Sequence, residues 1–185
     1  MRTIFIQTFE EAGARLLGNI VADIGDVFGI NAVLGQNLPA PDDSLDKRRS
    51  QHRAQSFPKV LSGERESLSR KASTGLLLLG ITRLDIFVPR LNFVFGVAER
   101  KEGVAVVSIH RLEPEFYGDA PDRDLLQARL LKESIHEIGH VLGIDHCGDP
   151  GCIMHFSSNI GDTDAKGPGF CTRCKKRLIT YEQQQ

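Results

Sequence analysis

The sequence predicts an α+β (α/β-like) protein: a twisted mixed β-sheet, backing helices, and a small cysteine-rich lobe at the C-terminal end. Three observations carry this. Strand-like apolar blocks recur through the first 110 positions, interleaved with stretches of helical spacing. A single well-patterned helix follows from about Arg123. All four cysteines fall in the last forty residues, where periodicity is weak.

Residues 2–9 alternate and read as a strand. Leu16, Leu17, Ile20, Val21, Ile24, Val27 and Phe28 have helical spacing, with Gly29 as the stop. A short strand over 30–35 closes a βαβ unit, which implies parallel pairing and a right-handed crossover. From 36 to 63 the composition turns polar, with Pro39, Pro41 and Pro58, and reads as a long loop. Within it Lys47, Arg48, Arg49 and Arg53 could grip a substrate carboxylate. With Asp42, Asp43 and Asp46 beside them, a solvated or ion-paired surface is the plainer reading. Leu61, Leu68, Ala72, Leu76 and Leu79 suggest a second helix ending at Gly80, although 76–79 alone also fits a strand. Residues 84–88, 91–99 and 104–110 read as strands; Pro89 stops the first, and a turn joins the last two. The terminal 183–185 are expected to fray.

The chemistry concentrates at His136-Glu137-Ile138-Gly139-His140-Val141-Leu142-Gly143-Ile144-Asp145-His146, the H-E-x-x-H-x-x-G-x-x-H signature of a metzincin-type zinc peptidase. On a helix, His136 and His140 stand one turn apart on one face and can share a metal. Glu137, beside the first ligand, could reach a metal-bound water without ligating. Gly143 can take the left-handed conformation that ends the helix, so that His146 returns as a third ligand. Leu131, Ile135, Ile138 and Leu142 form an apolar stripe roughly opposite the histidines, which places the ligands in a cleft. Three protein ligands leave a coordination position open, as a catalytic zinc requires.

Cys147, Cys152, Cys171 and Cys174 form C-x4-C and C-x2-C pairs. Without a signal-like N-terminus, that spacing favours a four-thiolate structural zinc over two disulfides or free thiols. Lys166, Arg173, Lys175, Lys176 and Arg177 would offset the negative charge of such a centre, or simply make a solvated basic face. The net charge of −1 gives no global attraction to nucleic acid or anionic membranes, so neither is an expected partner. No apolar run is long enough to span a bilayer, and a cytoplasmic location is the default expectation.

The run His146-Cys147, then Cys152-Ile153-Met154, sixteen residues, and Cys171-x2-Cys174 resembles the archaemetzincin (archaelysin) family. Residues Asn92-Phe93-Val94-Phe95-Gly96 and Glu115-Phe116-Tyr117-Gly118 extend the likeness upstream. The resemblance implies a metzincin-like zincin fold in a single catalytic domain over 1–185, with an upper subdomain (1–143) and a lower cysteine-rich one (144–185). It implies two zinc ions per chain. One is catalytic, on His136, His140 and His146; the other is structural, on the four cysteines. Met154 becomes the methionine beneath the catalytic site. The expected activity is peptide-bond hydrolysis, with Glu137 as general base and an extended peptide or protein substrate along 91–98; the oligomeric state is open, with a monomer favoured. Aminopeptidase and narrow endopeptidase activity both remain open. Tyr117 as an oxyanion stabiliser is weaker than Tyr117 as a packing residue, and His110 and His155 are given no role. The reading from a different class is a metal-stabilised module binding protein or nucleic acid, in which Glu137 would have no use.

Overall fold

The alternation at the N-terminus forms β1 (Thr3–Phe9), and its two sets of side chains enter two different cores. The computed structural model describes residues 2–10, 12, 17–70 and 75–183. Leu16, Ala72, Gln184 and Gln185 of the expected elements lie outside them. Helix α1 (Ile20–Phe28) ends at Gly29 and leads into β2 (Asn31–Leu38), which pairs parallel with β1, Ile4 opposite Ala32.

The polar stretch 36–63 is not one loop. It holds the end of β2, the short strands β3 (Leu45–Asp46) and β4 (Gln51–Arg53), and the start of α2 (Ser56–Ser69). Charged residues fill the exposed face of α2, while Phe57 and Leu61 are fully buried, so average polarity hid the helix. Leu76–Thr82 is strand β5, not the end of a helix reaching Gly80. Strand β5 is buried on both faces, and a continuous apolar run has no period to read.

Strand β6 is only Ile86–Phe87. Of 91–99, only Gly96–Glu99 (β7) is strand; it runs antiparallel to β8 (Val104–Ser108). The main sheet has the order β2-β1-β5-β8-β7, parallel except for β7 at one edge, and β3-β4-β6 form a second, smaller sheet. A turn of 3-10 helix (Pro114–Tyr117) precedes α3 (Arg123–Val141). Two helices sit in the tail where none was expected: α4 (Ile160–Ala165) and α5 (Thr172–Gln183).

Strand period decides which side each helix covers. Ile4, Ile6, Leu79, Ile81, Ala105 and Val107 face α1 and α3, together with Ile135 and Ile138. Phe9, Leu76, Leu78, Val104 and Val106 face α2, where Phe9 and Phe57 meet edge to face at 5.0 Å. Ile153, Met154, Cys147, Cys152 and Cys174 join the α1/α3 core, so the cysteine-rich tail packs onto the helix bearing the histidines. No helix among the described residues is long and apolar enough to cross a membrane.

Phe57→Ala should cost about 3–4 kcal/mol by emptying the α2 side of the sheet, lowering the melting temperature by roughly 6–16 °C. Zinc content should not change, because the histidines lie on the other side. Calorimetry and metal analysis on the same sample check both halves.

Candidate metal centre and cleft

Helix α3 opens with Asp122, whose carboxylate accepts from Leu125 N–H at 2.9 Å. It closes at Leu142, and Gly143 follows with φ +81°, a conformation that a side chain resists. The chain then leaves the axis and returns His146 to the two helical histidines. The ligand atoms of His136, His140 and His146 lie within 4.8 Å of one another, with the Nε2 atoms of His136 and His140 3.1 Å apart. Nitrogens on a zinc at about 2.0–2.1 Å would sit about 3.3 Å apart, so the set fits the ion.

Backbone carbonyls fix how the rings present themselves. His136 Nδ1 is 2.9 Å from the Ile153 carbonyl oxygen, and His140 Nδ1 is 2.8 Å from that of Ile144. A carbonyl can only accept, so the proton sits on Nδ1 and the Nε2 lone pair points at the shared position. Burial pushes His136 down to about 2, and the Lys166 charge adds to the effect. Burial also holds His140 and His146 below the ordinary imidazole value. The trio is neutral, as ligation demands.

Glu137 is buried beside the trio, and burial raises its carboxyl well above the ordinary range; Glu133 adds to this and Lys166 opposes it. Two close approaches hold this part of the helix. A methyl group on Gly96 would lie 2.6 Å from Glu137 Cγ and 2.7 Å from Val106 O, so β7 can lie against Glu137 only with glycine there. A methyl group on Gly139 would lie 2.5 Å from Met154 Sδ, which places the fully buried Met154 directly against the helix below the histidines.

Both sides enclose a cleft of about 460 Å³. Residues 91–98 form one wall and 156–158 the other; Glu133, His136, Glu137, His140 and His146 make the floor. Sequence reasoning missed Glu133, Phe156 and Ser157. Glu133 had a signal, since it stands one turn before His136 and Glu137 on the same helix face.

The four cysteines form the second cluster, with sulfurs within 4.8 Å of one another and no disulfide. Cys147 and Cys171 Sγ are 3.8 Å apart, the edge of a tetrahedron with metal–sulfur bonds of about 2.3 Å. Burial pushes the Cys147 thiol up, but a backbone N–H at Asp149 and the Arg173 guanidinium, at 3.1 Å, outweigh it and bring the thiol to about 6. The two clusters share backbone: Cys147 N–H donates to Met154 O at 2.8 Å, and His155 Nδ1–H to Cys147 O at 3.0 Å.

Other candidates lie elsewhere. Lys166 is not among the thiolates but fully buried, its Nζ 2.8 Å from Glu133 Oε1. Arg49 donates to the carbonyls of Leu91 and Asn92, at 3.1 and 2.7 Å, so it braces the cleft wall; Arg53 pairs with Asp46. Tyr117 donates to Arg111 O at 2.9 Å and is not among the residues lining the cleft. His110 packs on Phe116.

Residues 37–180 match the family described as peptidase family M54. An archaemetzincin of Pyrococcus furiosus is 44% identical over 153 residues, 82% of this chain and 77% of that one. This chain belongs to the archaemetzincin family. Among solved structures, an archaemetzincin of Methanopyrus kandleri superposes with a TM-score of 0.82 at 30% identity, covering 98% of this chain and 96% of that one. A zinc-dependent peptidase of Methanocorpusculum labreanum gives 0.87 at 31%, covering 95% and 99%. The mixed sheet, backing helices and His/Cys clusters are thus those of a metzincin-like zincin fold, and the archaemetzincin assignment makes the chain a metzincin-type zinc metallopeptidase.

Two measurements follow. Cys147→Ser or Cys171→Ser should weaken zinc at the histidine trio by about 10–100-fold, because the thiolates hold the backbone that orients the rings; full occupancy there would sink the coupling. The depressed imidazoles keep their lone pairs below pH 6.5, the ordinary value. Zinc at the trio should therefore be held to lower pH than three imidazoles of ordinary value would allow, as equilibrium dialysis with metal analysis would show.

Proposed function

We propose that this archaemetzincin hydrolyses peptide bonds in the cleft with Glu137 as general base, and that a zinc ion on His136, His140 and His146 serves the reaction. The observation that carries this is the Nε2 lone pairs of His136 and His140 meeting 3.1 Å apart in the cleft, with Glu137 the adjoining residue on its floor. Bound there, zinc supplies Lewis acidity toward a carbonyl oxygen and makes water easier to deprotonate.

The remaining work belongs to the chain. Burial that disfavours a charged Glu137 makes its carboxylate a stronger base than an exposed one, suited to accept a proton from water and deliver it to the leaving amine. Strand β7 is a sheet edge along the cleft, so an extended peptide can add to it through backbone hydrogen bonds. Arg49 holds that wall in place from behind. Cys147, Cys152, Cys171 and Cys174 hold a structural zinc; Gly143 and Met154 set the backbone and floor of the catalytic one. The unit is one domain over 1–185, with 1–143 above the cleft and 144–185 below. It acts as a cytoplasmic monomer on peptides or proteins, by amino-terminal trimming or narrow internal cleavage.

Glu137→Gln should lower turnover by roughly 10²–10⁴-fold while both zinc ions are retained. Mass spectrometry of a diverse peptide mixture, incubated with parent and variant, checks this and locates the cuts. Equal cleavage by both proteins would remove Glu137 from the mechanism.

A further inference from the structure

Residues 91–95 of the cleft wall belong to neither a strand nor a helix, so no ladder holds them. Leu91 N–H donates to Val88 O and Val94 N–H to Ile86 O, both at 3.1 Å, and Phe95 O accepts from Ser108 N–H at 2.8 Å. Side chains hold the stretch between. Arg49 donates to the carbonyls of Leu91 and Asn92, and Gln51 Nε2 donates to Asn92 O at 3.0 Å. Neither Arg49 nor Gln51 lines the cleft, so these two carbonyls are gripped from behind it.

A bridge joins that grip to the side chain of Phe93. Gln51 Oε1 accepts from Arg49 Nε at 2.8 Å, and Gln51 Nε2 also donates to Asp85 Oδ2 at 2.9 Å. Asp85 in turn takes both prongs of Arg111, Nε and Nη2, at 2.8 Å each. The Arg111 guanidinium lies over the Phe93 ring, 4.5 Å from its centre, and over Phe116 at 4.7 Å. Tyr117, beside Phe116, donates its hydroxyl to Arg111 O. The segment Glu115–Gly118 thus seats Arg111, and Arg111 seats Phe93. Phe93 lines the cleft and meets Phe95 edge to face at 5.2 Å. One continuous network therefore fixes the backbone at 91–92 and the ring at 93, although Asp85 and Arg111 do not line the cleft.

We propose that Arg111, set by Asp85, is a positioning residue for substrate binding: it fixes Phe93 and with it the wall along which the peptide lies. This deepens the peptidase reading and rests on it. A wall ordered before the substrate arrives does not have to be ordered by it, so the gain goes to affinity. The wall meets the peptide in the ground state and the transition state alike. Losing its order therefore raises KM and leaves kcat in place.

The test uses the zinc-loaded full chain carrying Arg111→Lys, Asp85→Asn or both. Lysine keeps the charge but has neither the fork nor the flat face. The probe is whichever peptide of a diverse mixture the parent protein cuts fastest. Hydrogen exchange at the Leu91 and Val94 amides reads the wall itself, with no substrate present. Each single variant should raise KM about tenfold with kcat held within about twofold. Each should also speed exchange at both amides while β5 and β8 stay protected. The double variant should be no worse than the worse single one, because both changes act through one pair. A role confined to stability would lower the folded, active fraction, so kcat would fall at unchanged KM. That result overturns the proposal, and so does exchange at Leu91 and Val94 equal to the parent's. If neither single variant folds, Tyr117→Phe, which removes only the hydroxyl on Arg111 O, must raise KM and exchange in the same direction; no change in either overturns it too. Faster exchange at those amides with no peptide cut by the parent would overturn the peptidase reading and leave Arg111's hold on the wall standing.

Discussion

The carbonyl of Ile153 is the point on which the two clusters turn. It receives the Nδ1 proton of His136, and it belongs to a turn whose previous residue is Cys152 and whose next is Met154. That turn is closed by Cys147 N–H onto Met154 O, so both strands of the connection begin or end at a cysteine of the four-sulfur cluster. A stretch rich in glycine, with no regular structure between Gly143 and Met154, has little of its own to offset the entropy of being held. The hydrogen bonds onto Ile153 O and Met154 O, with the core packing of Cys147, Cys152, Ile153 and Met154, supply the constraint. His146 precedes Cys147 directly, so the same anchor presents the third imidazole. Geometry at the histidines and geometry at the cysteines thus share one stretch of backbone.

Around that anchor, α3 buries the charged residues Arg129 and Glu133, with Lys132 half-buried between them. Arg129 makes paired bonds of 2.7 Å to both carboxylate oxygens of Asp164, Lys132 donates to the carbonyls of Thr163 and Asp164, and Glu133 meets Thr163 and Lys166. All of these partners come from 163–166, inside the loop between the two cysteine pairs. Removing one member of a buried pair costs about 3–5 kcal/mol, whereas an apolar replacement of both is often neutral. Stability alone therefore does not account for them. What they do fix is position: the loop that contributes Phe156 and Ser157 to the cleft is locked to the helix that contributes its floor.

How much of this the sequence showed follows from how local each signal is. The histidine motif was legible because helix pitch and ligand spacing are set within eleven residues, and the cysteine pairs because metal knuckles are equally short. Strand β1 and helix α1 were legible through their periods. Helix α2 was lost in a polar average, and β5 read ambiguously because burial on both faces erases periodicity. Residues 91–95 alternate like a strand but are irregular, held by Arg49 from more than forty residues away. Lys166 was the clearest failure. In sequence it lies in the loop between the two cysteine pairs, its neighbour in space is Glu133, and nothing local connects positions 133 and 166.

Strand β7 shows why the main sheet ends as it does. A parallel strand at that edge would need a crossover, which would cover the cleft; the short turn between β7 and β8 requires an antiparallel strand and leaves the outer edge open. An open edge is a liability unless something uses it. Here it runs beside Glu137, and Gly96 removes the one side chain that would hold strand and helix apart. The absent methyl brings the edge where a peptide would bind into contact with the proposed base. Binding surface and reactive group are thereby a property of one strand–helix contact, and the spacing between them does not depend on loop conformation.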